Sequence, residues 1–446
     1  MDTKLDVATS KSAPIFERAK SFLPGGCSRN TILRKPHPIY AERGQGCYVY
    51  DVEGVRRTDF ANNVASLIHG HAHPAIVAAV TQQLEKGTAF SIGTEAEIDF
   101  AEQLCGRNPS FERVRFVNSG TEAVMASLKA ARAYTKRPKV AKVEGAYHGL
   151  YDYAEASQTA KPENWGRAER PASVPVSRGT PQQALDDVVV IPFNDVERAL
   201  AILDTHRDQL ACVLIDLLPH RVGVVPASAE FVQALRRWAS QNGALLVFDE
   251  VITYRSNFGG AQEWYDVRPD ITALGKMIGG GFPVGGITGR AEVMEVMNPL
   301  NGSAAFPLSG TFSANPITMT AGHTAMKLFD REAVERLNAL GDRARRSIAE
   351  AISVAGVPAC VTGRGSMFRI HLSAEAPKNY REAYLSPEKA ALLSAFVGHL
   401  FDGGLLMVET GTGFLSTPMS EQDIDDMAAV VLAALRKIKP PLSSPT

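Results

Sequence analysis

The sequence predicts an α/β protein: a large, mostly parallel mixed sheet sandwiched by helices, plus a smaller α+β domain built from N- and C-terminal segments. Three observations carry this expectation. Short runs such as residues 188–191, 212–215 and 244–248 are apolar at every position, so both of their faces must be covered. Helical patterns such as residues 121–134 and 231–240 lie between such runs. Beyond about residue 325 the alternation gives way to long helices around a single strand.

Taken in order, residues 15–22 read as a helix closed by the Pro24-Gly25-Gly26 turn. Residues 38–60 alternate in a strand-like way around Tyr48-Val49-Tyr50, with Gly44, Gly46 and Gly54 marking turns. A helix over 76–84, a strand over 114–117, an alanine-rich helix over 121–134 and a strand over 140–143 follow. Residues 156–183 are rich in Pro, Ser, Thr, Arg and Ala without a period, which predicts a long loop of the kind that often serves as a lid. Strands at 188–191, 212–215 and 244–248 lead to another apolar run ending at Lys276. Helix 331–355, strand 367–372 and helices 387–401 and 421–438 complete the chain, with a frayed tail over 440–446. The expected division is residues 1–75 as the N-terminal part of the small domain, 76–325 as the large domain and 326–446 as the C-terminal small domain. A length of 446 residues calls for more than one domain.

Composition narrows the function. Hydrophobic content of 45% and charged content of 21% are those of a globular protein, and the net charge of −1 gives no electrostatic case for nucleic acid or an anionic membrane. The five cysteines form no CxxC pair, which favours free thiols and a cytoplasmic setting. Residues 1–14 lack the apolar core of a signal peptide, and no run reaches the ~18 apolar residues of a membrane span.

The chemistry concentrates at strand ends. Lys276 ends an apolar run just before Gly279-Gly280-Gly281, and Asp249 ends the run before it. A lysine amine forms a Schiff base with an aldehyde cofactor, and an aspartate holds a pyridinium nitrogen protonated. These are the two protein groups that pyridoxal 5′-phosphate (PLP) most needs. Asn118-Ser119-Gly120-Thr121-Glu122 follows a strand and opens a helix, a junction that suits a phosphate monoester, although Thr121 also suits a plain N-cap. Tyr147, in Glu144-Gly145-Ala146-Tyr147-His148-Gly149, offers a ring to stack on a flat cofactor, or a buried Tyr beside a structural His. The polar loop from Ser309 to Pro316 brings further hydroxyls. His69, His71 and His73 alternate, but no acidic or cysteine partner has matching spacing, so no metal site is expected. No GxxxxGK and no strand-following GxGxxG is present, which speaks against a Walker nucleotide site and a nicotinamide dehydrogenase.

The motifs Asn118–Glu122, Ala146–Gly149, Phe248–Val251, Leu274–Lys276 with its glycines, and Gly310–Phe312 with Asn315-Pro316 occur in one order. The chain resembles the class III aminotransferases of PLP fold type I, within the glutamate semialdehyde aminomutase-like group, over nearly its whole length. The resemblance implies PLP as cofactor, with Lys276 as Schiff-base lysine and proton shuttle, and Asp249 on the pyridine nitrogen. It implies that Tyr147 stacks on the ring, with His148 and Val251 beside the cofactor. Ser119, Gly120 and Thr121 would hold the phosphate. Thr311 would reach the phosphate of a neighbouring subunit, so a homodimer with shared active sites is expected.

The departures bear on substrate. Asp216 stands where many relatives carry Glu, and His220 and Arg221 follow it in a candidate substrate pocket. Thr253-Tyr254-Arg255 is similar to the turn of β-phenylalanine aminotransferases rather than the longer aminomutase turn. Gly411 occupies the place of an aminomutase acidic residue, with Glu409 nearby. Arg29 sits where the β-phenylalanine enzymes carry a carboxylate-binding arginine, while Thr410 lies at the place of their second arginine. Arg29 or Arg221 is therefore the expected carboxylate ligand. The expected activity is transfer of an amino group from a β- or ω-amino acid or amine to a keto acid. Its rivals are an aminomutase or racemase using the same lysine and aspartate, and a non-catalytic PLP-binding protein, against which the retained Lys276 and Asp249 argue.

Overall fold

The computed structural model describes residues 10–300 and 302–438, so residues 1–9 and the expected 440–446 tail lie outside it. Seven strands form the central sheet, in the spatial order Arg113–Val117, Gly285–Gly289, Ile271–Gly275, Leu245–Asp249, Leu210–Ile215, Lys139–Val143 and Val188–Ile191. Six run parallel, and Gly285–Gly289 alone is antiparallel to both of its neighbours. The strands from 188 to 275 that read as apolar on both faces are buried throughout, as a sheet covered on two sides requires.

The helix Gly120–Thr135 shows why the covering layer fits. Its buried face is Ala123, Val124, Ala126, Ser127, Leu128, Ala130 and Ala131, small enough to lie close on the sheet. Ser119 is its N-cap: Ser119 Oγ accepts from the Glu122 N–H, and Glu122 Oε2 accepts from the Asn118 N–H. Thr121, which the sequence also allowed as the cap, is instead the second helical residue. Ala229–Asn242 is likewise capped by Ser228 and stopped by Gly243 in a left-handed conformation.

The two ends of the chain meet. Ala41–Gln45, Tyr48–Asp51 and Arg56–Asp59 form an antiparallel ladder whose edge accepts Leu405–Leu406 in parallel. Cys360–Thr362, Met367–His371 and Thr412–Phe414 form a second small sheet. Among the elements that went unread in the sequence are the helices Glu95–Cys105 and Pro316–Leu328 and the glycine-rich strand Gly285–Gly289.

Residues 156–183 are mostly irregular, but they hold a short hairpin of Gly166–Arg167 with Arg170–Pro171, run into the helix Gln182–Asp186, and are tied to their surroundings. Ser157 exchanges backbone bonds with Gly145 and Val174, and its hydroxyl donates to Ala172 O at 2.6 Å. Arg381 donates to the carbonyls of Trp165, Gly166 and Arg167 while its guanidinium grips Glu144. One further feature is local: Asn62, Asn63, Val64 and Ala65 have φ of 52°, 44°, 55° and 70°, a complete left-handed turn without glycine. Such residues cost about 1–2 kcal/mol each, less for asparagine.

Candidate active site

Every parallel strand from the Arg113–Val117 edge inward ends at the same rim, where ligands bind in open α/β sheets. In spatial order the rim carries Ser119-Gly120-Thr121, Lys276, Asp249, Asp216 and the turn from Glu144 to His148. The antiparallel strand begins at this rim too, with Gly285 opposite both Val117 and Gly275.

Close packing of glycines builds the phosphate-type turn. A Cβ on Gly120 would stand 2.7 Å from Val251 Cγ1, and one on Gly149 would stand 2.6 Å from Thr121 Oγ1. A Cβ on Gly275 would lie 3.4 Å from the Gly120 Cα. The residue before Lys276 is thus pressed against the start of the helix, with Val251 wedged beside both. The N–H groups of Gly120 and Thr121 open the helix and have no intrahelical acceptor, so they and the helix dipole face an anion.

Lys276 leaves the strand with φ of 50° and is partly buried. Burial lowers its ammonium pKa against the opposing pull of Asp249 and Asp216, which favours a neutral, nucleophilic amine. Asp249 is buried, and its two oxygens are held apart: Oδ1 accepts from the Val251 N–H at 3.0 Å, and Oδ2 lies 2.7 Å from His148 Nδ1. Burial keeps His148 from charging, more strongly than Asp249 favours it, so a neutral ring donates Nδ1–H to the carboxylate. Its buried Nε2 has no partner among the described residues. Burial, then the Asp249 carboxylate, push Asp216 well above the ordinary carboxylate range.

The Tyr147 ring is 41% exposed, open for stacking, with the Arg221 guanidinium 5.7 Å from its centroid. No carboxylate pairs with Arg221 among the described residues. Next to it, His220 Nε2 and Thr410 Oγ1 lie 3.2 Å apart, and Arg369 donates to the His220 carbonyl. Burial drives His220 down to about 3, so it is a neutral polar group. Arg29 is exposed and donates to Asn63 Oδ1, on the left-handed turn. Thr311 lies in an exposed loop, with Gly310 close to Asn118. Of the three alternating histidines, His69 meets Thr417 and the Ala325 carbonyl with the His73 ring 5.4 Å from its own, while His71 turns to Asp59. Among the described residues no group of three or more His, Cys, Asp or Glu is arranged for a metal ion.

Two supporting residues escaped the sequence reading. Lys142 is fully buried and donates to the carbonyls of Ala146 and Ala156, fixing the turn that carries Tyr147. A lysine inside an otherwise apolar strand was the available signal. Glu250, also fully buried, accepts from the N–H groups of Ala261 and Gln262 and from the Gln262 side chain, and so anchors the chain just past Asp249.

The family model for "Aminotransferase class-III" matches residues 32–426. The chain is a class-III aminotransferase. It is similar to an omega-transaminase structure from Sphaerobacter thermophilus, 46% identical, covering 96% of this chain and 98% of that one with a TM-score of 0.94. A beta-phenylalanine aminotransferase from Variovorax paradoxus is 32% identical over 95% of this chain and 93% of its own, with a TM-score of 0.84. A glutamate-1-semialdehyde 2,1-aminomutase of Methanothermobacter thermautotrophicus is 37% identical over 84% of this chain and 86% of its own. This class-III aminotransferase is therefore a PLP-dependent enzyme with the fold of type I, and the rim fits that cofactor. It offers anion-facing N–H groups, a lysine with a lowered pKa, a fixed carboxylate and an open aromatic face. No helix among the described residues is long and apolar enough to cross a membrane.

Proposed function

We propose that this aminotransferase moves an amino group from a β- or ω-amino acid, or a related amine, to a keto acid. The observation that carries this reading is the Arg221 guanidinium beside the exposed Tyr147 face, a cation that no carboxylate pairs with among the described residues. Similarity to an omega-transaminase and to a beta-phenylalanine aminotransferase supports the same donor class.

When bound, PLP supplies an aldehyde carbon and an electron-withdrawing ring. Lys276 would hold it, and its Nζ would be the base placed to take the proton from the donor carbon. Asp249, oriented by His148 and the Val251 N–H, keeps the ring nitrogen protonated. Tyr147 would offer its exposed face to the ring, and Ser119, Gly120 and Thr121 would hold the phosphate. Arg221 and Arg29 take the donor or acceptor carboxylate through their planar forks. The enzyme acts as a homodimer, with Thr311 reaching the partner's phosphate. Supporting this are large apolar groups left in solvent on one chain: Ile92 and Leu300 are 80% and 88% exposed, and Phe312, beside Thr311, is 60% exposed.

The second reading is an aminomutase, favoured by the 37% identity to a glutamate-1-semialdehyde aminomutase. One experiment separates them. The loaded enzyme is mixed with a panel of β-amino acids, ω-amino acids and amines, without keto acid, while its visible spectrum is followed. Conversion to the cofactor's amino form with stoichiometric carbonyl product is expected. Isomerised product without net carbonyl compound would establish the mutase instead. Lys276→Ala is expected to lose the absorbance of the protein-linked cofactor, and its retention would overturn the role of Lys276.

A further inference from the structure

The left-handed turn at Asn62–Ala65 sits on the substrate side of the rim. Ala65 packs with Leu218, Val224 and Phe414, and Leu67 lies against Gly281, in the glycine run after Lys276. Strained backbone persists only where its surroundings over-determine it. Here they do: Asp59 accepts from the Asn62 N–H, Asn62 Nδ2 donates to Leu67 O, and Arg255 donates to Ala65 O.

What the turn delivers is the Asn63 amide. Ser66 Oγ donates to Asn63 O at 3.0 Å and so must accept from Asn63 Nδ2, 2.9 Å away. The amide can then face only one way, with Oδ1 outward, where it accepts from Arg29 Nη1 at 2.6 Å. A neutral acceptor takes one guanidinium donor without cancelling the charge. Arg29 keeps its cation and its remaining donors for a carboxylate. Aspartate, which tolerates a left-handed φ equally well, would neutralise it.

We propose that Asn63 is a positioning residue that aims Arg29 at the substrate carboxylate, and that the left-handed turn exists to place it. This rests on the reading of Arg29 as a carboxylate ligand. Asn63→Gly is the informative variant, because glycine accepts the left-handed φ without strain and removes only the amide. In the PLP-loaded enzyme, KM is measured for 3-amino-3-phenylpropanoate and for 1-phenylethylamine, its decarboxylated counterpart. Asn63→Gly should raise the ratio of acid KM to amine KM by about tenfold, the loss of one charge-assisted hydrogen bond, with no fall in Tm. Asn63→Asp should raise the ratio further by competing with the substrate. Arg29→Gln should raise it at least as much as Asn63→Gly does. An unchanged ratio in Arg29→Gln would overturn the Arg29 reading itself. A raised ratio in Arg29→Gln with an unchanged ratio in Asn63→Gly would overturn the role of Asn63 alone. Failure of the wild type to use 3-amino-3-phenylpropanoate would overturn both.

Discussion

Lys142 shows how much a single residue of the supporting shell can weigh. Its side chain is fully buried with only carbonyl partners, and burial brings its pKa down to about 7. Between about pH 7 and the ordinary lysine value of 10.5 the unfolded chain keeps this proton and the folded chain has released it. Stability from this group therefore rises with pH across that window, and below it the full cost of a buried charge, a few kcal/mol, is present. Lys142→Met removes the titration and leaves two carbonyls without a donor at every pH. The Tm difference between variant and wild type is expected to be most favourable to the variant near pH 6 and to turn against it by several degrees toward pH 10. Equal differences at both ends would refute the assignment. At this scale the sequence was generous with reactive groups and reticent about their supports. Lys276 and Asp249 stand at the ends of apolar runs, where a strand must stop. Nothing local tells that Asp216 settles beside Asp249, because that neighbourhood is created by sheet order.

Among the elements, Gly285–Gly289 repays study because it was not legible. Three glycines in five positions carry no strand propensity, so a pattern of apolar residues could not reveal it. The reason for glycine is across the sheet: a Cβ on Gly285 would collide with the Ser119 carbonyl oxygen and sit 2.7 Å from Val117 Cγ2. The strand is a spacer whose missing side chain lets the phosphate-type turn close. Gly285→Ala is expected to displace that turn and weaken PLP retention by about tenfold or more, the equivalent of roughly one hydrogen bond to an anion. Reconstitution of the apo-protein with graded PLP measures it, and unchanged retention would count against the spacer role. The parallel strands, by contrast, were legible because burial on both faces leaves a continuous apolar run. The loop over 156–183 was recognised as irregular. Its anchoring through Arg381 was not, since that residue comes from more than two hundred positions downstream.

Across the whole molecule, Arg255 is the clearest cross-tie. Fully buried, it donates to Ser366 Oγ, to Ala65 O and to Leu415 O, so that one side chain binds the N-terminal, central and C-terminal stretches. Burial lowers its pKa to about 9, and among the described residues no carboxylate pairs with it to offset that cost. Removing it would strand two carbonyls and a hydroxyl. Arg255→Met should cost about 3 kcal/mol or more, read as a lower midpoint in chemical denaturation, and an unchanged midpoint would exclude the cross-tie. The sequence marked Arg255 only as part of a short turn after Asp249. Its true role depends on three segments that meet only in three dimensions.

The pairing of Leu405–Leu406 with Thr58 and Asp59 has a consequence for biosynthesis. A strand made early must wait for one made almost last, and closing so long a loop is slow and entropically costly. A nascent chain still short of residue 405 lacks the edge strand, the Leu415 carbonyl that Arg255 holds and the Thr410 neighbour of His220. It can collapse its central sheet on the ribosome, but its substrate side closes only after release. Premature termination anywhere before that point should yield protein that turns over no donor, however well its earlier residues are folded.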